Sequence, residues 1–267
     1  MKKTNNFTTQ KQVGVWKQGE NYECVWFDEK NQPHACTLPS PISLPQLATQ
    51  LMPQSGNNSL KTIKFITAIS PQYTWIKNLL LPQILTAAEC EQQCRFLLSQ
   101  ELPLPLEEIW FDYQSEPLKQ GFKLSIFAIK KQTALDYLNA YAPFPIQVLD
   151  CCIHAIIRAF QYLTGIGTEK QALFLYQDEQ HTFAVQPNAS AVQFMQQTDK
   201  NLTALAEMFC QRHSLQPEQI YYYCNELQAK ALPDYWQKVE TDLPFIALGN
   251  ALWQQSFWQQ KGEINGD

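Results

Sequence analysis

Helix and strand patterns alternate most clearly over residues 71–159, and this segment sets the framework for the rest of the chain. Thr86 followed three residues later by Glu89 fits a capping box, which predicts that a helix begins there. Pro103 and Pro105 predict where it has ended, because proline disfavours the α conformation in the residue before it. The apolar residues between these signals recur at intervals close to three and four, as one face of a helix requires: Leu85, Cys90, Cys94, Leu97 and Leu98.

The same segment continues with strands and further helices. Runs rich in β-branched and aromatic residues, separated by turn residues, predict strands. The predicted elements are strands at 108–114 and 122–129, a helix at 131–141, a strand at 146–150 and a helix at 150–163.

The flanking regions each repeat a hairpin followed by a helix and a strand. The first series is predicted as strands 13–16 and 22–27 joined by a loop of three to five residues, a turn at 28–33 with a further short strand after it, a helix at 46–52 and a strand at 61–69. The second is predicted as strands 172–176 and 182–185, a helix at 202–213, a strand at 220–223, further helix within 227–239 broken at Pro233, and a closing helix at 245–258. Two similar series of this kind indicate an α/β protein with two lobes.

Composition excludes several classes of protein. With 267 residues and 45% hydrophobic content the chain can bury a core. A net charge of −5 disfavours direct binding to nucleic acid, which needs a basic surface. The sequence has no run of 18 apolar residues, and Met1-Lys2-Lys3 is followed by polar residues rather than by the apolar part of a signal peptide. We therefore expect a cytoplasmic protein.

The order and spacing of several segments resemble a known family. LPLPLEEIWFDYQ stands about twenty residues after WIKNLLLP and is followed by a strand, a helix and VLDCCIHAIIRAF; LPFIALGNALWQ near the C-terminus adds a weaker likeness. Together they resemble the PilM family of type IV pilus assembly proteins, and more closely its short competence branch, which includes ComA and HofM. The resemblance implies an actin-like (ribonuclease H-like) α/β fold with two lobes, an inserted subdomain and a reduced second lobe.

The resemblance also implies domain boundaries. Residues 1–70 would form the first half of lobe 1, and 71–149 the inserted α/β subdomain. Residues 150–165 would return to lobe 1, 166–258 would form the reduced lobe 2, and 259–267 a polar tail.

Proteins of the actin-like class hold ATP with glycine-containing hairpins and nearby aspartates, since backbone amides must approach phosphate oxygens closely. The corresponding positions here keep few of those residues: Lys17, Gly19, Asp178, Thr182 and Asn225. No glycine occurs between Gly167 and Gly249, where both later loops should lie. This predicts a protein without ATP or another cofactor. In the alternative, Lys17 would pair with a phosphate, and Asp178 with Glu179 would bind magnesium.

PilM-like proteins hold the N-terminal cytoplasmic tail of a membrane protein, PilN or ComB, in a groove beside the insert. Such a groove needs apolar and aromatic side chains with a few polar anchors, and the candidates are Trp75, Ile76, Lys77, Leu80, Leu81, Trp110, Asp112 and Tyr113. Alternatively, these side chains form the hydrophobic core of the insert itself. The resemblance therefore implies a non-catalytic scaffold, peripheral to the inner membrane through its partner and required for DNA uptake without touching DNA. The alternative is an ATP-binding protein whose nucleotide state regulates partner binding. Neither of these two functions predicts an oligomeric state.

Motifs of other enzymes and metal sites are weak or missing. The sequence has no Gly-x-Ser-x-Gly, no P-loop and no His-Glu-x-x-His. Cys90 with Cys94, and Cys151-Cys152 with His154, could each be half of a metal site. Buried packing is the favoured interpretation for both groups, because a second half is missing and adjacent residues point apart.

Overall fold

The computed structural model describes residues 11–51, 62–118, 120–167, 171–187, 192–225 and 232–254. The chain divides into two compact units. The first consists of Met1–Ala68, Ala140–Asp150 and Thr241–Asp267, and the second of Ile69–Asn139 and Cys151–Glu240.

The strands and helices follow one another in the order that an α/β fold requires. The strands are β1 (Lys11–Gln18), β2 (Asn21–Phe27), β3 (Pro33–Pro39), β4 (Ile63–Ile69), β5 (Trp75–Leu81), β6 (Ile109–Pro117), β7 (Phe122–Lys130), β8 (Ile146–Cys151), β9 (Ala172–Gln177), β10 (Thr182–Gln186), β11 (Gln193–Gln197), β12 (Gln219–Cys224) and β13 (Gln237–Lys238). The helices are α1 (Leu44–Leu51), α2 (Ala87–Glu101), α3 (Lys131–Asn139), α4 (Cys152–Thr164), α5 (Leu202–His213) and α6 (Phe245–Ala251).

Each unit contains a mixed sheet of the same topology. The first sheet has the order β3-β2-β1-β4-β8, and the second has the order β11-β10-β9-β12-β13. In both, an antiparallel meander of three strands lies beside a parallel strand that arrives by a crossover. The strand β8, which the sequence placed at the end of the insert, pairs in the first sheet. The domain boundaries given above remain a prediction.

The hairpin of β1 and β2 is tighter than predicted. Gln18 pairs with Asn21, so the loop contains two residues rather than three to five. Gly19 makes this turn possible, because its φ of 56° is strained for residues that carry a Cβ atom.

The helix α6 packs directly against β1 at Gly14. A Cβ atom on Gly14 would lie 2.0 Å from the carbonyl oxygen of Ala247 and 2.3 Å from the amide nitrogen of Ala251. The buried Asn250 extends this contact, since its Nδ2 donates a hydrogen bond of 3.0 Å to the Val15 carbonyl oxygen. The glycine is therefore required by the close approach of two backbones.

The insert in the second unit is a three-stranded sheet covered on one face by α2. Its strand order is β5-β7-β6, with both pairings antiparallel. The predicted capping box of Thr86 and Glu89 is present at the start of α2. Cys90 and Cys94 of this helix pack with the inner residues of β7 in one core: Phe122, Leu124 and Ile126.

The second sheet (β11-β10-β9-β12-β13) is packed between two helices, α4 and α5. Residues Leu205 and Phe209 of α5 share a core with Leu173 and Leu175 of β9. Phe160 of α4 stacks on Phe174, with ring centroids 4.7 Å apart. The residues of β9 and β10 are buried throughout, as expected for strands that are covered on both faces.

Three strands were missed in the sequence: β5, β11 and the two-residue strand β13, which lies where a helix was predicted. The strand β5 was not recognised because both of its faces are apolar, which removes the alternation that marks a strand. The strand β11 consists largely of glutamine. Within the predicted helix 227–239, the amide of Trp236 bonds to the Pro233 carbonyl oxygen in a turn, and the amide of Val239 bonds to Tyr222. The predicted closing helix 245–258 is too long, because α6 ends at Ala251 and residues 252–254 form a turn. Residues 226–231 and 255–267 lie outside the described residues.

We expect Gly14→Ala to lower the free energy of unfolding by about 3 kcal/mol, because the new methyl group meets backbone atoms of α6 that cannot rotate away. Urea-induced unfolding followed by circular dichroism measures this change. Gly19→Ala is the matched control: nothing lies within 4 Å of the place that its methyl group would occupy, and only the positive φ opposes the substitution, at about 1–2 kcal/mol. Equal losses for both variants would show that close packing at Gly14 is unimportant.

Candidate functional site: the open face of the inserted sheet

The inserted sheet has two different faces, and the strand register assigns each side chain to one of them. Trp75 pairs with Ala128 and Lys77 with Ile126, and successive side chains of a strand point to opposite faces. One face packs on α2. The other, which we call the open face, carries Ile76, Asn78, Leu80, Trp110, Asp112, Gln114, Lys123, Ser125 and Phe127.

The candidate groove residues divide evenly between these faces. Trp75, Leu81 and Tyr113 pack against the core under α2. The Tyr113 hydroxyl also donates a hydrogen bond of 3.0 Å to the carbonyl oxygen of Ala87. Lys77, on the same face, forms an ion pair with Glu101 at the end of α2. These four side chains hold the insert together.

The remaining four candidates lie on the open face. Leu80 is 72% exposed and Trp110 is 39% exposed, which is unusual for large apolar side chains on a sheet. Ile76 and Asp112 share this face. The structure therefore brings Ile76, Leu80, Trp110 and Asp112 to one surface and separates them from the other four.

A concavity that is open to solvent adjoins this face within the second unit. The open face supplies one wall, and the start of α4 and the strand β11 supply the rest. The lining residues are Ile76, Asn78, Gln114, Lys123, Ser125, Phe127, Cys151, Ile153, His154, Val192 and Phe194.

The concavity combines apolar walls with a few polar groups. Phe127 meets the His154 ring edge to face, with centroids 5.2 Å apart. Lys123 is only 12% exposed, and its Nζ lies 3.4 Å from Glu116 Oε2. Five of the eleven lining residues are polar or charged, so the concavity offers both apolar contacts and hydrogen-bonding groups to a ligand. The sequence did not indicate that Lys123, Phe127 or His154 would lie at this surface; the alternation along β7 was the available signal for the first two.

The edges of the inserted sheet suit a partner in extended conformation. Among the described residues, β5 and β6 each pair with β7 alone. An edge strand presents unpaired N–H and C=O groups to which another chain can bond. Main-chain hydrogen bonds to an edge, with alternate side chains in a pocket, are a common mode of peptide recognition.

The first nucleotide-loop candidates lie in the first unit and form a compact hairpin end. The amide of Lys17 donates to the Tyr141 hydroxyl at 3.4 Å, and its Nζ lies over the Tyr22 ring, 5.6 Å from the centroid. Gly19 and Glu20 make up the whole loop between β1 and β2. This loop is a tight turn and offers no extended row of amides to a phosphate.

The turn between β9 and β10 is organised around Asp178, whose carboxylate is buried. Its Oδ1 accepts hydrogen bonds from the amides of Gln180 at 2.8 Å and His181 at 2.6 Å. Its Oδ2 accepts from the Tyr176 hydroxyl at 2.7 Å, and the His181 ring lies 3.2 Å from Oδ1. Every bond goes to the turn itself or to the strand beside it.

These contacts change the acidity of both buried groups. Burial alone would raise the pKa of Asp178, but the bonds and charge of His181, with the bonds from Tyr176 and Gln180, outweigh it and lower the pKa. Burial and the neighbouring carboxylate raise the pKa of Tyr176 well above its usual value. Asp178 is therefore an anion that closes its own turn.

The other two candidates for the nucleotide loops lie near Asp178, at the same end of the strands of the second sheet. Thr182 is buried and pairs with Gln177. Asn225 is exposed, and its amide donates to the Gln177 carbonyl oxygen at 3.3 Å. The structure thus brings Asp178, Thr182 and Asn225 together at the ends of β9, β10 and β12.

The cysteines singled out in the sequence lie in buried surroundings. Cys90 and Cys94 belong to the core under α2, and burial raises the pKa of the Cys94 thiol to about 11. Cys151 and Cys152 are buried where β8 meets α4. Nowhere in the described ranges do three or more histidine, cysteine or carboxylate side chains converge as a metal site would require. Every helix in those ranges is also too short or too polar to cross a membrane.

Comparison with solved structures identifies the class of this fold. The α/β architecture with two sheets of the same topology is actin-like, as the sequence predicted. Neither a protein-family model nor a curated protein sequence matches the chain.

The similar structures include two from bacterial membrane machineries. The cytoplasmic domain of EpsL, an inner membrane component of the type II secretion system of Vibrio cholerae, has a TM-score of 0.57 at 10% identity, over 92% of this chain and 96% of that one. The PilM–PilN type IV pilus biogenesis complex gives a TM-score of 0.52 at 16% identity, over 80% of this chain and 81% of that one. At these identities the likeness establishes the fold.

We expect Asp178→Asn to lower the free energy of unfolding by about 2 kcal/mol at pH 7, because two amides and a hydroxyl lose a charged acceptor. The pKa of Asp178 is lowered in the folded state, so its contribution is present above the unfolded pKa, about 3.9, and is lost as pH falls through the folded value. The difference from wild type should therefore shrink on acidification. Urea-induced unfolding from pH 7 to the lowest pH at which the protein stays folded measures it.

Glu179→Gln is the matched control, because Glu179 is an exposed acid in the same turn. We expect it to change stability by less than about 0.5 kcal/mol. A pH-independent loss for Asp178→Asn, or an equal loss for both variants, would contradict the assigned role of Asp178.

Proposed function

We propose that this protein is a component of a bacterial type II secretion or type IV pilus machinery and belongs to the PilM-like proteins. The actin-like fold that it shares with the EpsL cytoplasmic domain and with the PilM–PilN complex supports this assignment. The family resemblance in the middle of the sequence supports it independently, since it rests on local segments rather than on topology. Within the family we assign the chain to the short competence branch.

Its role is that of a non-catalytic scaffold. It binds the N-terminal cytoplasmic tail of a PilN- or ComB-like protein and so works at the cytoplasmic face of the inner membrane. The observation that carries this proposal is the open face, where Leu80 and Trp110 are exposed beside a concavity that is open to solvent. Tryptophan is over-represented among the residues that dominate binding energy at interfaces.

DNA uptake is the process that the scaffold serves, without direct contact to DNA. The net charge of −5 supports this separation, because binding to the phosphate backbone needs clustered positive charge.

The scaffold acts without bound nucleotide. Asp178 uses its carboxylate to close its own turn, and Thr182 is buried. The loop at Gly19 contains two residues. These observations favour a protein that keeps the actin-like architecture but lacks the groups with which ATP-binding proteins of this class contact phosphate and magnesium.

The proposed partner predicts measurable peptide binding. We expect a fluorescently labelled peptide of the N-terminal tail of the PilN-type protein from the same cell to bind the full chain, as followed by fluorescence anisotropy. Leu80→Ser and Trp110→Ala should each weaken binding by about tenfold, or about 1.4 kcal/mol, because each removes an exposed apolar contact from the open face.

Phe96→Ser provides the matched control. Phe96 is 58% exposed on α2, the helix that covers the opposite face of the inserted sheet, so its loss should leave the affinity unchanged. Failure of the wild-type protein to bind the tail peptide would contradict the proposal that a PilN-type protein is its partner. Binding that is indifferent to Leu80 and Trp110 but sensitive to Phe96 would place the site elsewhere.

Calorimetric titration with magnesium-ATP tests the absence of a nucleotide site. We expect no heat of binding up to millimolar ATP, with magnesium alone as the control. Binding tighter than about 100 μM, or about −5.5 kcal/mol, would contradict the scaffold proposal. It would favour the alternative, a PilM-type protein whose nucleotide state regulates partner binding.

A further inference from the structure

Two cysteines face each other across neighbouring strands of the first sheet. Cys24 on β2 pairs directly with Cys36 on β3, so the two side chains lie on the same face. Cys24 is 0% exposed, whereas Cys36 is half-buried. Both are free thiols.

The backbone register sets their separation. The amide of Asp28 bonds to the Gln32 carbonyl oxygen at 3.0 Å, and the amide of Ser40 bonds to Glu20 at 2.8 Å. These two bonds lie four residues to either side of the cysteine pair. Because hydrogen-bonded and non-hydrogen-bonded pairs alternate along an antiparallel ladder, Cys24 and Cys36 also occupy a hydrogen-bonded position. Opposite Cα atoms at such positions are about 5.5 Å apart, within the range of about 4.4–6.8 Å that a disulfide spans. Opposite Cβ atoms are about 5 Å apart, so formation of the bridge draws the edge strand β3 towards β2 by about 1 Å.

The two thiols differ in acidity in the way that a stepwise exchange requires. The hydrogen bond with Cys24 lowers the pKa of Cys36, and the Lys11 ammonium group lowers it further, against the opposing effect of burial. The same hydrogen bond, together with burial, raises the pKa of Cys24. Lys11 is held in place, because its Nζ donates to the Leu51 carbonyl oxygen at 3.3 Å and lies over the Trp26 ring.

We infer that Cys24 and Cys36 are a redox-active dithiol, which a small-molecule disulfide such as oxidised glutathione converts reversibly into a cross-strand disulfide. Cys36 is the attacking thiol, because it is the more accessible of the two. Cys24 is the resolving thiol, since it is buried directly opposite.

The exchange proceeds in two balanced steps. The Cys36 thiolate attacks one sulfur of the glutathione disulfide, whose S–S bond breaks, and one glutathione leaves as its thiolate. Cys24 then gives up its proton to solvent and attacks the Cys36 sulfur of the mixed disulfide, and the second glutathione leaves. The protein loses two electrons and two protons, and the glutathione disulfide gains them as two thiols.

A second pair of cysteines, one helical turn apart on α2, is suited to remain reduced. Cys90 and Cys94 are buried in the core under α2, and burial raises the pKa of both thiols. Because the thiolate is the attacking form, these thiols should react slowly. The inference therefore predicts one specific bridge, which ties the edge strand β3 to β2.

Equilibration of the full chain in glutathione buffers tests this inference. The ratio of oxidised to reduced glutathione is raised in steps, exchange is stopped with acid, free thiols are alkylated, and disulfides are located by mass spectrometry of proteolytic peptides. We expect a Cys24–Cys36 bridge to appear first and to disappear on return to reduced glutathione. In Cys24→Ser, Cys36 should retain glutathione as a mixed disulfide.

Cys94→Ser should leave the bridge unchanged, whereas Cys36→Ser should abolish it. Cys36→Val, which suits a strand, replaces that variant if circular dichroism shows that the serine form is unfolded. Lys11→Met should slow the reaction of Cys36 with oxidised glutathione several-fold. Full alkylation of Cys24 and Cys36 in excess oxidised glutathione would overturn the inference, as would earlier bridging of Cys90 with Cys94.

Discussion

The contact between α6 and β1 at Gly14 is the constraint on which the first unit depends. It joins residues near the two ends of the described chain, since Asn250 bonds to the Val15 carbonyl oxygen across 235 positions. Bringing such distant segments together has an entropic cost that local contacts do not have. Buried apolar residues of α6 offset this cost by packing on β1, and the absence of a side chain at Gly14 allows the helix to come close enough.

The inserted sheet obeys a different constraint, because it is covered by one helix. The side chains that point towards α2 form a core with Cys90, Cys94 and Leu98. Of the alternate side chains, Lys123, Ser125 and Phe127 lie beside α4 and β11. The large apolar side chains of Leu80 and Trp110 are exposed. An exposed apolar surface of this kind commonly marks an interaction site. The proposed scaffold function follows from this asymmetry together with the turn at Asp178, which is closed by its own hydrogen bonds.

The sequence contained enough local information to predict many of the elements and the class of fold. The capping box of Thr86 and Glu89 and the helix at 202–213 were found where predicted, because both depend on contacts within a few residues. The division of the candidate groove between two faces was not predicted, since it depends on the register between β5, β6 and β7. The role of Asp178 likewise required Tyr176 and His181 to be seen around its carboxylate. Sequence patterns therefore did not determine which residues lie opposite each other on neighbouring strands.

Hydrogen exchange of the full chain, with and without the PilN-type tail peptide, tests most directly whether the open face is the binding surface of a nucleotide-independent scaffold. We predict slower exchange of amides in β5, β6 or β7 when the peptide binds, because an added chain would cover their edges and one face of the sheet. The pattern should be the same in the presence of magnesium-ATP. Protection confined to the hairpins at Gly19 and Asp178, or protection that appears only with ATP, would contradict a nucleotide-independent binding surface on the open face.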